Sequence, residues 1–376
     1  MAKRRGNNEG SIGRRRDGRW EARYTTQTTA GPKRKVLYGK TRAEVAEKLT
    51  KAMAVRDGGL VLNADNQTVG EYLTRWLNDS VRGSVKPITF ESYERLVRVH
   101  IAPHLGRVKL KNLSSAHLQG FYRNRLDAGL SPRTVQYLHV VLHRALKQAL
   151  RWNLVPRNVA EAVDPPRVHK EEIRPLSPEQ AHLLLEAARE DRLEALYVIA
   201  VHCGLRQGEM LALRWDDVNL EAGTLRVNRT LTVTRNGPVF TAPKTAKSRR
   251  SVRLTAGAVE ALKRHSARQG QEIVRMDTLY RDQGLVFASG IGTPLNRHNL
   301  NSRSFKPLLK RAGLPEIRFH DLRHTCATLL LFRDVHPKFV QELLGHATIA
   351  ITLDTYSHVL PGMGDLASRA MEDVFT

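Results

Sequence analysis

LEALYVIAVHCGLRQGEMLALRW, residues 193–215, passes from an apolar run into an Arg-Glu pair, Arg206 and Glu209. The run to Leu205 is apolar on nearly every face, which predicts a buried helix rather than an amphipathic one. It falls short of the roughly 18 residues that a membrane span needs. An arginine where a buried helix ends is costly unless an anion or a carboxylate meets it. Glu209, three residues on, is placed to orient that guanidinium, and a lone pair of this kind is most often structural.

Other polar residues punctuate apolar helices further on. HDLRHTCAT (320–328) puts His320 and Arg323 at i and i+3, on one helical face. His320 and His324 have a metal-compatible spacing, but HExxH is absent and the intervening arginine argues against a cation, so no metal site is expected. LLGHATIAIT (343–352) ends a helix at Gly345-His346, and Tyr356 follows in LDTYSHV (353–359). Alone, His346 reads equally as a helix-end histidine and Tyr356 as a core tyrosine.

Upstream, Asp164-Pro165-Pro166 through Arg174-Pro175 reads as a linker, and Ser177-Pro178 caps the next helix. An α+β region follows, its strands running from TLRVNRTLTV (224–233) to VFTAPKTAKSRRSVRL (239–254). Before the linker, residues 64–163 read as four helices. A capping box at Thr68 and Glu71 opens the first, the second runs from about Thr89 to Ile101 and stops near Pro103, and Gly129 ends the third. The fourth starts at Ser131-Pro132. Residues 1–60 read as a three-stranded sheet plus a helix, with Asp17-Gly18 as a two-residue hairpin signal. Arg14, Arg15, Arg16, Arg19 and Arg23 cluster on that hairpin beside Trp20 and Tyr24. They suit either a DNA groove or a basic surface over a small aromatic core.

Charge supports the first reading. The 376 residues carry a net +24, of which residues 1–60 hold +10, 61–170 hold +9 and the last 206 only +5. A polyanionic partner, most simply nucleic acid, follows. The hydrophobic fraction of 41% excludes a disordered polycation. The basic start lacks the apolar core of a signal peptide. Two cysteines, Cys203 and Cys326, exclude a disulfide framework. The expected setting is cytoplasmic, nucleoid-associated when DNA is bound.

GLRQGEMLALRW, PKTAKSRRSV, HDLRHTCAT, LLGHATIAIT and LDTYSHV, in this order, resemble the tyrosine recombinases, or phage integrase family. The resemblance covers most of residues 176–360, and the upstream layout is similar to the family's core-binding (SAM-like) and arm-site-binding domains. It implies a multidomain fold: arm-site domain at 1–60, helical core-binding domain at 64–163, and mainly helical α+β catalytic domain at 174–376. It implies Tyr356 as the nucleophile, giving a 3′-phosphotyrosyl link to DNA. Arg206, Arg323 and His346 would hold the scissile phosphate. Lys244 would protonate the 5′ leaving oxygen, in a segment crowded by Lys247, Arg249 and Arg250. His320 would assist proton transfer at the tyrosine, and Glu209 would support Arg206.

The chemistry stands without the resemblance. A phosphodiester in transit gains charge on its equatorial oxygens, which fixed cations stabilise. A phenol of ordinary pKa near 10 needs positive charge or a base beside it. A tyrosyl ester conserves the bond energy, so no metal, ATP or other cofactor is required. A non-catalytic regulator has no need of Tyr356 and Lys244. A topoisomerase fits the modular start less well, and a chromosome-dimer resolvase would lack the first 60 residues. The reading is an integrase for a phage or mobile element. The resemblance implies core and arm attachment sites as partners and a homotetramer on DNA, with room for a DNA-bending host factor and an excisionase as accessories. No membrane is expected. The tail from His358 to Thr376 is the expected place for contacts with a neighbouring protomer.

Overall fold

The computed structural model describes residues 10–28, 31–57, 66–168, 174–243, 249–356 and 371–375. The chain divides into two compact units, Met1–Lys170 and Glu171–Thr376.

In the first unit, β1 (Ser11–Arg14), β2 (Trp20–Thr28) and β3 (Gly31–Gly39) form an antiparallel sheet in the order β1-β2-β3. Helix α1 (Arg42–Asp57) packs on one face, where Ala22, Tyr24, Val45 and Leu49 are buried. Strand alternation therefore commits Trp20 and Tyr24 to the core side and turns Arg23 outward. The hairpin differs from the two-residue turn expected at Asp17-Gly18. Arg15 N–H donates to Arg19 (2.8 Å) and Gly18 N–H to Arg15 (3.1 Å), with Gly18 at φ +83°. This is a three-residue loop in which the glycine forms the bulge, and Asp17 accepts from the Arg19 amide at 3.2 Å. The extra residue exposes a wider arginine-bearing tip.

A second, helical core lies further along the same unit. It comprises α2 (Val69–Trp76), α3 (Pro87–Leu96), α4 (Ala102–Leu105), α5 (Ser115–Asp127) and α6 (Pro132–Arg151). The Thr68/Glu71 capping box is present on α2. Ser131 caps α6, whose Val135, Leu138, Leu142 and Leu146 are buried among Tyr72, Trp76 and Phe121. Pro103 does not stop the chain's helical course as expected. Residues Val97–Ile101 form a π-helical turn, and α4 continues with the proline in its first turn. The Ala102 amide, just before the proline, reaches back five residues to the Val97 carbonyl, so the π turn sits where the proline's missing donor interrupts the helical ladder.

The second unit begins with α7 (Pro178–Ala187), opened by a Ser177/Gln180 capping box. Helix α8 (Glu194–Cys203) is buried from Glu194 to Val201, and α9 (Gln207–Met210) follows closely. Strands β4 (Val218–Asn219), β5 (Thr224–Val227) and β8 (Arg250–Arg253) make one antiparallel sheet; β6 (Thr230–Thr234) and β7 (Gly237–Thr241) make a separate hairpin. Then come α10 (Ala256–Met276), α11 (Arg297–Asn299), α12 (Lys306–Arg311), α13 (Asp321–Phe332), α14 (Pro337–Leu344) and α15 (Ile349–Tyr356). α8 packs between α10 and α13 in one apolar core. No helix of the described residues is long and apolar enough to cross a membrane.

The α6 face makes a direct test of the helical core. Leu142, 1% exposed, should lose about 2–5 kcal/mol on Leu142→Ala. Urea unfolding of the full chain would show this as an earlier helical transition. An unmoved midpoint would remove Leu142 from the core.

Candidate functional site

Three helix ends meet in the second unit. α8 stops at Gly204, whose φ is +59°; a Cβ there would stand 2.7 Å from the Leu344 side chain and 3.1 Å from Cys326 Sγ. Only glycine allows both the left-handed turn and this approach. Two residues on, Arg206 caps α9. Its Nη1 donates to Glu209 Oε1 at 2.7 Å, its amide to Glu209 Oε2 at 3.1 Å, and its Nη2 to the Gly345 carbonyl at 3.3 Å. α14 ends likewise at Gly345, φ +65°, which delivers His346.

Arg323, in the first turn of α13, joins these ends. Its side chain is 3% exposed, and it donates to the Gly204 and Leu344 carbonyls, each at 2.7 Å. Burial pulls its guanidinium down to about 9, with the Arg206 charge acting the same way. A guanidinium has five N–H donors, so those two carbonyls leave donors for an anion. Arg206, at 38% side-chain exposure, is the more open of the two cations.

Glu209 accepts from both sides. Arg250 Nη2 donates to Oε2 at 3.0 Å opposite Arg206. Burial would raise the Glu209 carboxyl, but Arg250 and then Arg206 outweigh it and hold it below the ordinary range. His346 Nδ1 pairs with Thr352 Oγ1 at 2.9 Å; burial, then Arg323 and Arg206, push it down to about 3. Tyr356, 2% exposed, is raised to about 12 by burial. Its hydroxyl pairs with His324 Nδ1 at 2.8 Å.

Of the expected residues, Arg206, Glu209, Arg323 and His346 are brought together, and Tyr356 packs in one cluster with Ala327 and with Leu344, whose carbonyl receives Arg323. His320 caps α13 with its ring edge-on to His324, centroids 5.1 Å apart. The tyrosine is thus held by His324 and not by His320. Burial, then His324 and Arg323, lower His320 to about 4. Lys244, and residues 357–370 and Thr376 of the tail, lie outside the described residues. Sequence reading missed the parts played by His324 and Arg250. His324 sits one turn beyond His320, so the shared face carried a signal. Arg250 was hidden in a run of four cations.

Arg14, Arg15, Arg16, Arg19 and Arg23 are all exposed on the hairpin. Arg15 pairs with Asp17 and lies over the Tyr38 ring, and Arg23 pairs with Glu21. The Arg15–Asp17 pair is exposed on both sides and such pairs are weak, whereas Glu21 is largely covered.

Two arginines and a neutral histidine gathered at these helix ends, with a buried phenol on the neighbouring α15, make an arrangement suited to holding an anion. Comparison with known proteins gives this arrangement its place. The phage integrase family matches residues 174–362, and the phage integrase N-terminal SAM-like domain matches residues 68–126. A tyrosine recombinase XerC-like protein of Caldanaerobacter subterraneus is 32% identical over 361 residues, covering 91% of this chain and 92% of the relative. The Tn1549 transposon integrase, solved with transposon right end DNA, superposes with a TM-score of 0.68 at 23% identity, covering 82% of this chain and 100% of that one. A lambda integrase tetramer bound to a Holliday junction gives 0.58 at 20% identity, with 94% and 96% coverage. The chain belongs to the phage integrase family, and its activity is that of a tyrosine-type site-specific recombinase.

The buried histidines set a pH dependence. A folded-state pKa below the ordinary value near 6.5 means that the folded chain binds fewer protons than the unfolded one. The stability contributed by His320 and His346 is therefore present above about pH 6.5 and lost as pH falls toward 4 and 3. Histidine-selective NMR of the DNA-free protein should find both rings neutral at pH 6. Titration of either ring at the ordinary value would contradict the burial.

Proposed function

We propose that the chain is an integrase that cuts and rejoins duplex DNA at paired attachment sites through a 3′-phosphotyrosyl intermediate, inserting or excising a phage or mobile element. The convergence of Arg206, Arg323 and His346 beside Tyr356 is the observation that supports this most. Arg206 and Arg323 clamp the non-bridging oxygens, as planar forks suit. His346, with Nδ1 taken up by Thr352, offers Nε2–H to the same phosphate. Glu209 steadies Arg206.

Tyr356 Oη attacks phosphorus, the bond to the 5′ oxygen breaks, and Lys244 protonates the departing oxygen. The phenol's proton passes to His324, the neutral ring that its hydroxyl already meets. His320 supports that ring edge-on and assists the transfer. Rejoining reverses these steps with a different 5′ hydroxyl. No metal or other cofactor takes part.

In this reading residues 1–60 bind arm sites through Arg14, Arg15, Arg16, Arg19 and Arg23. Residues 64–163 hold core sites, and 174–376 cut. The active assembly is a homotetramer on DNA, as in the lambda complex. A DNA-bending host factor and an excisionase set direction, and the protein works in the cytoplasm, on the nucleoid.

Tyr356→Phe is expected to bind core DNA normally and form no covalent adduct on a nicked suicide substrate. Adduct formation by that variant would remove the nucleophile. Deleting residues 1–60 should weaken arm-site binding and flatten its salt dependence while core cleavage persists. Equal arm-site affinity in a gel-shift titration would end the bridging role.

A further inference from the structure

We propose that Arg250 is a positioning residue for the phosphate clamp, fixing Glu209 and the Leu343–Gly345 turn so that Arg206, Arg323 and His346 address one phosphate. The inference rests on the proposed function above. Three contacts carry it. Arg250 Nε donates to the Leu343 carbonyl at 2.5 Å. Its Nη2 donates to Glu209 Oε2 at 3.0 Å. A Cβ on Gly345 would stand 3.0 Å from its Nη1, so the turn rests directly on the guanidinium. The side chain is only 7% exposed, which sets it behind the clamp and away from an incoming ligand.

The geometry makes Arg250 the shared support of both clamp arginines. Through Glu209 it fixes the carboxylate that holds Arg206 Nη1. Through Leu343 it fixes the turn whose next two carbonyls receive Arg323 Nη2 and Arg206 Nη2. The residue after that turn is His346. A planar fork can serve two acceptors on different elements at once; a lysine ammonium on the same stem reaches one of them well. β8, which begins at Arg250, pairs with β5 along Val227↔Arg250 and Leu225↔Val252. The fork is thus anchored to a sheet rather than to a loop.

The test uses the full chain and two nicked suicide duplexes, both built from the junction that flanks its own gene. One carries a normal scissile phosphate, the other a methylphosphonate. The methyl group replaces a charged oxygen, so the neutral linkage demands less of an arginine clamp. On the phosphate duplex, Arg250→Ala should form adduct on the order of a hundredfold more slowly while binding within about threefold of wild type. Arg250→Lys should recover part of the rate. On the methylphosphonate duplex the Arg250→Ala deficit should shrink to less than about tenfold, as it should for Arg206→Ala. Wild-type rates on the phosphate duplex would overturn the proposal. So would an equal deficit on both duplexes, which marks a general loss of structure. If Arg250→Ala does not fold, Arg250→Lys and Arg250→Gln carry the same comparison. Wild-type protein that forms no adduct on either duplex would instead count against the recombinase reading itself.

Discussion

The Arg323 guanidinium, buried among apolar helices, is the tie on which the rest of the second unit depends. Its two 2.7 Å bonds end on carbonyls left unsatisfied where α8 and α14 stop. A charge removed from water costs several kcal/mol unless it is well met, and here the helix C-termini supply partial negative charge as well as acceptors. Gly204 and Gly345, both left-handed, aim those carbonyls at it. An arrangement that needs a buried cation to close two helix ends also presents, in the proposed function, half of a phosphate site.

Each cation nearby then has a stated counterweight. Glu209 is shared between Arg206 and Arg250, while Arg323 has carbonyls alone. Arg323 is therefore the least neutralised of the three, and its lowered pKa, with burial as the larger cause and Arg206 as the next, expresses that deficit. In the proposed function the scissile phosphate supplies the missing charge. The same argument covers His346, pressed down by burial and then by Arg323 and Arg206: an anion among them relieves all three at once.

How much of this was legible beforehand depended on how local each feature was. The capping box at Thr68, the Ser177 cap and the Ser131-Pro132 helix start are set by residues within one turn, and all stand where the sequence placed them. The hairpin loop and Pro103 misled for a common reason. Asp17-Gly18 and a proline are punctuation whose effect depends on one residue of register, and both a bulge and a π-turn absorb a residue. Arg206, Glu209 and Arg323 were readable because a charge on an apolar helix demands a partner. Arg250 was not, standing in a run of cations on a strand, and His324 showed only the face it shares with His320 and not its tie to Tyr356, 32 residues on. No periodicity encodes such a contact.

The placement of Tyr356 follows from the same crowding. A phenol raised to about 12 is a poor nucleophile, and burial is the main cause. Its neighbour His324 is itself held neutral by burial, so the pair is a hydrogen bond between two uncharged groups and not an ion pair. Moving the proton across it creates a phenolate and an imidazolium in a place that stabilises neither. The nearby Arg323 favours the first and disfavours the second. In the proposed mechanism a phosphate bound between the arginines reverses the balance for the imidazolium, while the phenolate's charge is spent in the new bond to phosphorus. In the proposed mechanism Tyr356 is therefore a weak nucleophile until a phosphate sits between the arginines, which ties strand cleavage to bound DNA.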